Sequence, residues 1–248
     1  FFSRFFDHRM HTDASDSAAE TPPKRRKCHS KDITNAHVFG LFGSDPGSEE
    51  GCFGVYVQYM ASALMDPNFE EEVAAAKDTY FLKAKRRIET ALAVRKESVV
   101  DSSVWPSDFK RQLETCPYYL QGSVTERTND CSACRKSAKD SVKVRLLGPE
   151  YQQLQRCSPA RVHVLGTLEV GKLKITDENV YQLGRGCVSR SSLYHTYHHF
   201  DYHLAETIKA KLNKVAQGFR RKEREMVALL NVLLDDTEWM AKVYREYT

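Results

Sequence analysis

The tetrapeptide CSAC places two cysteines, Cys131 and Cys134, three positions apart in a polar part of the chain. Two thiolates at this spacing can hold one zinc ion from a single tight turn, but they supply only half of a tetrahedral set of ligands. Redox-active pairs share the spacing, yet they usually open a helix after a strand of a βαβ unit, and no such unit surrounds CSAC. A structural zinc site and two unligated thiols are therefore the main alternatives.

Further zinc ligands would have to come from the segment GRGCVSRSSLYHTYHHFDYH, residues 184–203. Cys187 precedes a predicted helix in which His195 and His199 stand four positions apart, a spacing at which two side chains can share a metal ion. Cys187 and His195 are about 12 Å apart along a continuous helix, so one ion reaches both only if Cys187 lies in a folded-back turn. The candidate metal ligands are Cys131, Cys134, Cys187, His195 and His199.

The sequence offers little support for catalysis. Near a helix N-terminus the Cys187 thiol would have a lowered pKa, but a base is also needed, and His195 on the same helix would point away from it. The chain contains no Gly-x-Ser-x-Gly motif and no phosphate-binding glycine-rich loop. We therefore predict a protein that is not an enzyme and has no small-molecule substrate, and keep a cysteine- or metal-dependent enzyme as a second alternative.

Basic clusters give the chain a formal net charge of +4, which mildly favours acidic partners. PPKRRK, residues 22–27, suits a nuclear import signal or a phosphate-binding patch, although short clusters of this kind are also common as solvated charge runs. No motif that reads bases is present, so contacts would go to the DNA backbone. The candidate phosphate-binding residues are Lys24, Arg25, Arg26, Lys27, Lys83, Lys85, Arg86, Arg87, Arg185, Arg190, Arg220, Arg221 and Lys222.

The compartment is predicted from cysteine usage and hydropathy. Seven cysteines without regular spacing favour a reducing environment over a disulfide scaffold. The sequence has no apolar run close to the roughly 20 residues that cross a bilayer, so we expect no membrane association. The opening FFSRFFDHRM lacks an initiator methionine and an apolar signal region, and we expect the chain to be a piece of a longer protein.

Patterning along the chain predicts an α+β fold that is mainly helical. Residues 1–36 form a predicted disordered basic tail, and residues 37–248 form a single domain. Apolar periodicity predicts helices over 53–64, 66–100, 193–215 and 226–243, of which the last two form an antiparallel pair, and a short helix after Pro106 that ends before Pro117. Alternation in SVKVRLLG and over 160–175 predicts a small antiparallel sheet next to the Cys-x-x-Cys loop.

The order CSAC, then VKVRLLGPEY, then YQLGRGCVSRSSLYHTYHHFDYHL resembles the family called domain of unknown function 4211, over roughly residues 53–215. The sharpest part of the resemblance is the Gly-Arg-x-Cys-x-x-Arg segment followed by Tyr-His and a second histidine. In this chain those residues are Gly184, Arg185, Cys187, Arg190, Tyr194, His195, and His198 or His199.

The resemblance implies a nuclear, chromatin-associated protein in which this domain follows a long disordered region, and it implies no catalytic residues. We therefore predict a non-enzymatic nuclear domain that binds chromatin proteins, the DNA backbone or both. One structural zinc ion and no bound metal stay open as alternatives for its Cys-x-x-Cys loop. The first alternative is a purely protein–protein interaction module without nucleic-acid contact. The sequence leaves the partner and the oligomeric state undetermined.

Overall fold

The computed structural model describes residues 47–100, 105–125, 129–148, 179–219 and 226–248. The predicted disordered tail, its basic cluster at 24–27, the predicted strands at 160–175 and the basic cluster at 220–222 lie outside these ranges. In the part of the chain that the structure describes, none of the helices combines the length and the apolar character that crossing a bilayer requires.

The described residues form eight helices and five strands, which confirms the predicted mainly helical α+β class. The helices are α1 (Glu49–Met65), α2 (Phe69–Ala76), α3 (Thr79–Val100), α4 (Ser107–Thr115), α5 (Arg185–His198), α6 (Phe200–Gly218), α7 (Met226–Asp235) and α8 (Thr237–Tyr247). The strands are β1 (Tyr118–Thr125), β2 (Asn129–Asp130), β3 (Ser137–Ala138), β4 (Ser141–Leu147) and β5 (Val180–Gly184). Strands β1, β4 and β5 form an antiparallel sheet in the order β1-β4-β5, and β2 pairs with β3.

Helix α1 is the centre of the first of two hydrophobic cores. Its N-terminus is capped by Ser48, whose hydroxyl accepts a hydrogen bond from the Gly51 N–H at 3.0 Å, and every residue over 51–63 is buried. A helix that is buried on all sides needs neighbours on all sides. Residues of α2, α3, α6, α7 and α8 surround it, so the predicted buried helix over 53–64 is confirmed as the central one.

The predicted single helix over 66–100 is wrong, because the chain breaks it once, at Lys77 and Asp78. Asp66 ends α1, and its carboxylate accepts from the Asn68 N–H at 2.9 Å. Lys77 ends α2 with φ 51°, and the Asp78 carboxylate accepts from the Tyr80 N–H at 3.0 Å at the start of α3. Short acidic side chains bond to nearby backbone N–H groups and compete with helix continuation.

The predicted continuous helix over 193–215 is also interrupted, at His199 between α5 and α6. Leu193 before the break is 42% exposed, while Phe200, Leu204 and Ile208 after it are buried in the first core. Helix α6 packs against α7, as expected for the C-terminal helix pair. The second member of that pair divides at Asp236, whose carboxylate caps α8 through the Trp239 N–H at 3.0 Å.

The C-terminal helix is fixed to the first core by Arg95 of α3. Its guanidinium donates to the Tyr247 carbonyl at 2.9 Å and pairs with the Glu49 carboxylate at 2.8 Å. The Tyr247 hydroxyl donates to the same carboxylate at 2.9 Å. Three helices that are distant in sequence are therefore held together at one point.

The second core lies between α4, α5 and the inner face of the sheet. Val142, Val144 and Leu146 of β4 point into it, which confirms the predicted strand and its apolar face. Trp105 is buried with its ring edge-on to Phe109, as expected for a core residue. This core positions the Cys-x-x-Cys loop, because Cys131 and Ala133 are part of it.

The turn after β4 requires a glycine, and this requirement predicts the effect of a substitution. Gly148 has φ +119°, and a Cβ atom there would lie 2.6 Å from the Pro117 Cδ atom. Gly148→Ala should therefore destabilise the domain by at least about 1–3 kcal/mol from backbone strain alone. Urea unfolding measures the change. Gly218→Ala is the matched control, since nothing lies within 4 Å of the added methyl group. Equal stability of the two variants would contradict the requirement for glycine at position 148.

Candidate metal centre

The CSAC loop folds back on itself directly after β2. The Cys131 N–H donates to the Lys136 carbonyl at 2.9 Å, and the Arg135 N–H donates to the Cys131 carbonyl at 2.7 Å. Arg135 has φ 58°, a left-handed conformation that turns the chain after the second cysteine. Pairing of Asn129 with Ala138 closes the base of the hairpin. The loop therefore holds both cysteines of the motif in one tight turn, as the spacing predicts.

Strand β5 and the start of α5 bring the third cysteine to this turn. The Ser132 N–H donates to the Gln182 carbonyl at 2.8 Å, and the Gln182 N–H donates to the Ser132 hydroxyl at 3.1 Å. The Gly184 N–H donates to the Cys131 sulfur at 3.3 Å. Helix α5 begins at the next residue, so Cys187 in its first turn faces the loop. The Sγ atoms of Cys131, Cys134 and Cys187 all lie within 4.8 Å of one another.

The pKa values of the Cys131 and Cys187 thiols are shifted in opposite directions. Burial raises the pKa of the Cys131 thiol, but backbone N–H groups of Gly184, Cys134 and Ala133 lower it, and the net pKa lies below its ordinary value. Burial, together with hydrogen bonds to Cys134 and Cys131, raises the pKa of Cys187 to about 12. The predicted lowering of the Cys187 pKa is therefore wrong, because burial and, after it, the neighbouring sulfurs raise the pKa.

Three sulfur atoms in one small volume are a donor set for a soft metal ion. Cys131 is fully enclosed, whereas Cys134 and Cys187 are partly exposed and leave the site accessible. Within the described ranges, no histidine, aspartate or glutamate joins the three cysteines in this group. The site could therefore hold a metal ion through thiolates from a loop and from the first turn of a helix.

The structure corrects the predicted ligand set, because His195 and His199 bond to main-chain carbonyls instead. The Nε2 atom of His195 lies 2.8 Å from the Cys116 oxygen, and that of His199 lies 2.8 Å from the Leu113 oxygen. His198 lies 3.1 Å from the Glu114 oxygen in the same way. A carbonyl only accepts, so each Nε2 carries the proton. These histidines close the C-terminal end of α4, whose last carbonyls have no partner within the helix.

The described cations of α3 are engaged to different degrees. Lys85 pairs with Glu89 at 3.5 Å and donates to the Tyr59 hydroxyl at 3.4 Å. Arg87 donates to the Gly47 carbonyl and thereby holds the start of α1. Lys83 and Arg86 are exposed. Of the predicted phosphate-binding residues on this helix, Lys85 and Arg87 therefore have structural roles.

Five exposed cations surround the three-cysteine cluster. The Arg185 side chain is 70% exposed and pairs with Asp140 at 2.9 Å, which joins the start of α5 to the end of the hairpin. Arg190 is exposed one helical turn after Cys187. The other three cations, Arg135, Lys136 and Lys139, were not among the predicted phosphate-binding residues. They form the basic run RKSAK immediately after Cys134. We call this the metal-loop surface, formed by Arg135, Lys136, Lys139, Arg185 and Arg190.

The His195 contact predicts how stability depends on pH. Burial lowers the pKa of His195 to about 4, although its hydrogen bond to Cys116 opposes the shift, and the nearby His203 lowers it further. The unfolded chain therefore binds a proton near pH 6.5 that the folded domain does not bind until about pH 4. This pKa difference contributes its full stabilisation to the folded domain above pH 6.5. As the pH falls towards 4, the free energy of unfolding decreases by about 2–4 kcal/mol in total.

The variant His195→Gln tests this, since glutamine retains an N–H donor and does not titrate. Urea unfolding between about pH 4 and 6.5, at one fixed metal concentration, should give a flatter slope of stability against pH than the parent gives. Thr196→Ala, an exposed substitution on the same helix, should keep the parental slope. An unchanged slope in His195→Gln would contradict the assigned acidity.

Comparison with known proteins agrees with the resemblance seen in the sequence. The family model described as "Domain of unknown function (DUF4211)" matches residues 46–155, a range that contains Cys131 and Cys134 but ends before Cys187. The chain is also 20% identical, over 161 residues, to "Uncharacterized protein C17H9.06c" of Schizosaccharomyces pombe. That alignment covers 64% of this chain and 24% of the yeast protein, so the chain spans about a quarter of that relative.

No solved structure gives a significant match to the chain. The match over residues 46–155 covers α1 to α4, strands β1 to β4 and the first two cysteines of the cluster. This comparison confirms the predicted resemblance to the DUF4211 domain over residues 46–155, while the Gly-Arg-x-Cys-x-x-Arg segment that begins at Gly184 lies outside the match.

Proposed function

We propose that this domain is a non-enzymatic, nuclear binding module that contacts the phosphate backbone of DNA in chromatin through the metal-loop surface, with a structural zinc ion beneath it. The observation that carries the proposal is that the exposed cations and the three-cysteine cluster occupy the same loop and the same helix start. A metal ion bound there would fix the positions of the cations.

Zinc is the metal that this donor set suits best. Tetrahedral Zn–S bonds of about 2.3 Å place ligand sulfurs roughly 3.8 Å apart, and the three Sγ atoms already lie within 4.8 Å of one another. Cys131 accepts backbone N–H bonds that favour its thiolate form. The three cysteines would supply three of the four ligand positions and would join the hairpin, β5 and α5.

The metal-loop surface has the character of a phosphate contact. Its lysines and arginines lie on a loop and on the first two turns of a helix, where long side chains can reach a DNA backbone. Such contacts position a protein without reading sequence, in agreement with the absence of a base-reading motif. The PPKRRK segment and the family resemblance support a nuclear location.

A protein–protein module is the alternative, and salt dependence separates it from DNA binding. Phosphate contacts release counterions, so affinity falls steeply as salt rises, whereas an apolar interface changes little. A cysteine enzyme has weaker support, because the raised pKa of Cys187 keeps its thiol protonated at neutral pH.

The first prediction from this proposal concerns metal content. The purified, reduced domain should contain about one zinc ion per chain by elemental mass spectrometry. Cys131→Ser, Cys134→Ser and Cys187→Ser should each lose most of this zinc and melt at a lower temperature, because metal binding contributes to folding free energy.

Cys52→Ser is the matched control for metal content, since Cys52 belongs to the first core and lies outside the cluster. It should retain zinc even if its own burial makes the substitution destabilising. Full zinc occupancy in all three cluster variants would rule out the site.

The second prediction concerns DNA affinity. Replacing Lys136, Lys139 and Arg190 with glutamine in one variant should weaken binding to a random-sequence duplex. The slope of log affinity against log salt should become shallower by about 0.9 for each phosphate that the variant no longer neutralises. Fluorescence anisotropy at several salt concentrations measures both quantities.

The matched control removes three exposed cations from α6 and α8, through Lys214→Gln, Lys242→Gln and Arg245→Gln. It changes the net charge by the same amount and should retain the parental salt slope. Equal weakening of DNA binding in both triple variants would indicate a net-charge effect and no specific surface. No measurable DNA binding by the parent domain would favour the protein–protein alternative.

A further inference from the structure

The two edges of the three-stranded sheet differ in whether another described segment covers them. The outer edge of β5 is covered by the CSAC loop, through the two hydrogen bonds between Ser132 and Gln182. Strand β1 is the opposite edge, and in the described part of the chain it pairs with β4 alone. Five consecutive residues of β1, over 120–124, are exposed. The β1 edge is therefore open among the described elements.

Strand β1 lacks most of the features that protect natural sheet edges. Such edges usually carry charges or prolines, but β1 has neither in the sequence YYLQGSVT. Leu120 is 38% exposed and Val124 is 48% exposed. The one protective feature is a bulge between Gln121 and Val124. An exposed apolar edge without charges is typical of a strand that another strand pairs with.

The charge of the sheet indicates which kind of strand would pair there. Strands β1, β4 and β5 together contain Lys143 and Arg145 and no acidic residue. Arg145 stands opposite Leu120 in the register. The Lys143 carbonyl lies 3.0 Å from the position that a Cβ atom of Gly122 would take, so the two strands approach closely at that point. Lys143 and Arg145 both belong to β4, the strand next to the open β1 edge.

We propose that β1 is a docking strand for an extended acidic peptide of a partner protein, which adds to the sheet as a further antiparallel or parallel strand. Main-chain hydrogen bonds to β1 supply binding energy. Directly opposite residues share a face of the sheet, so Leu120 lies on the outer face with Arg145 and Lys143, whereas Val124 lies on the inner face with Val142. In an alternating peptide the acidic side chains therefore lie on the outer face, towards Lys143 and Arg145, and the apolar side chains lie on the inner face beside Val124. The proposal adds a protein partner to the proposed DNA contact. It uses residues outside the metal-loop surface, so the two proposals fail independently.

The experiment uses a fluorescein-labelled ten-residue peptide of alternating valine and glutamate. Anisotropy should show saturable binding below about 1 mM that weakens as salt rises. Backbone amide signals over 118–124 should shift on addition of the peptide. Leu120→Ser with Val124→Ser should weaken binding at least about tenfold, and Lys143→Gln with Arg145→Gln should weaken it and reduce its salt dependence.

Two controls separate pairing at the β1 edge from non-specific hydrophobic or electrostatic binding. Val94→Ser with Val232→Ser removes two exposed apolar side chains from α3 and α7, and it should leave peptide affinity unchanged. A peptide of alternating valine and lysine should bind at least about tenfold more weakly than the acidic one, because like charges repel.

Three results would overturn the proposal. The first is absence of binding by the acidic peptide, or equal binding of the basic one. The second is hydrogen-exchange protection of the outward β1 amides in the free domain as strong as that of β4, which would mean that the chain already pairs this edge. The third is a concentration-dependent dimer that the Leu120 and Val124 substitutions abolish, which would make a second copy of the chain the occupant.

Discussion

The carbonyl groups at the C-terminal end of α4, which find their partners outside the helix, are the constraint on which the rest of the fold depends. A helix leaves its last carbonyls without partners, and burying them unpaired is costly. Three histidines over 195–199 meet this requirement with ring N–H donors at 2.8–3.1 Å. Because Leu113 and Cys116 belong to the second core and α6 enters the first, these bonds connect the two cores. They also coincide with the break between α5 and α6, which redirects the chain from one core to the other.

The position of the CSAC loop follows from this connection between the two cores. Once the histidines fix α5 against α4, the first turn of α5 has a defined place at the end of β5. The Gly184 N–H then reaches the Cys131 sulfur, and Arg185 reaches Asp140. The loop, the strand and the helix are consequently joined by contacts that do not require a metal. A bound zinc ion would add three bonds to an arrangement that the main chain has already organised.

Sequence patterns predicted what depends on local chemistry and periodicity. The buried helix α1, the short helix α4, the apolar face of β4 and the third cysteine of the cluster were all within their reach. They failed where a tertiary contact overrides a local pattern. Periodicity extends across His199, yet the helix breaks there, where three histidines bond to carbonyls at the end of α4. Histidines at metal-ligand spacing bind carbonyls, because burial disfavours their charged form and a nearby acceptor needs a donor. The strands β1 and β5 were missed, since YYLQGSVT and VYQLG are too short or too irregular to show alternation.

The division into two cores bears on how binding and stability are related. The first core contains most of the large apolar side chains and is held at its periphery by Arg95, Glu49 and Tyr247. The second core is smaller, and both the CSAC loop and the open β1 edge belong to the elements that pack around it. A small core gains proportionally more from a bound metal than a large one does. Any partner that binds only the ordered loop must therefore tighten metal binding by the same factor by which the metal tightens partner binding. In the proposed DNA contact the three cysteines would influence DNA affinity without touching DNA, because a bound metal would add to the main-chain contacts that already hold the surrounding cations in place.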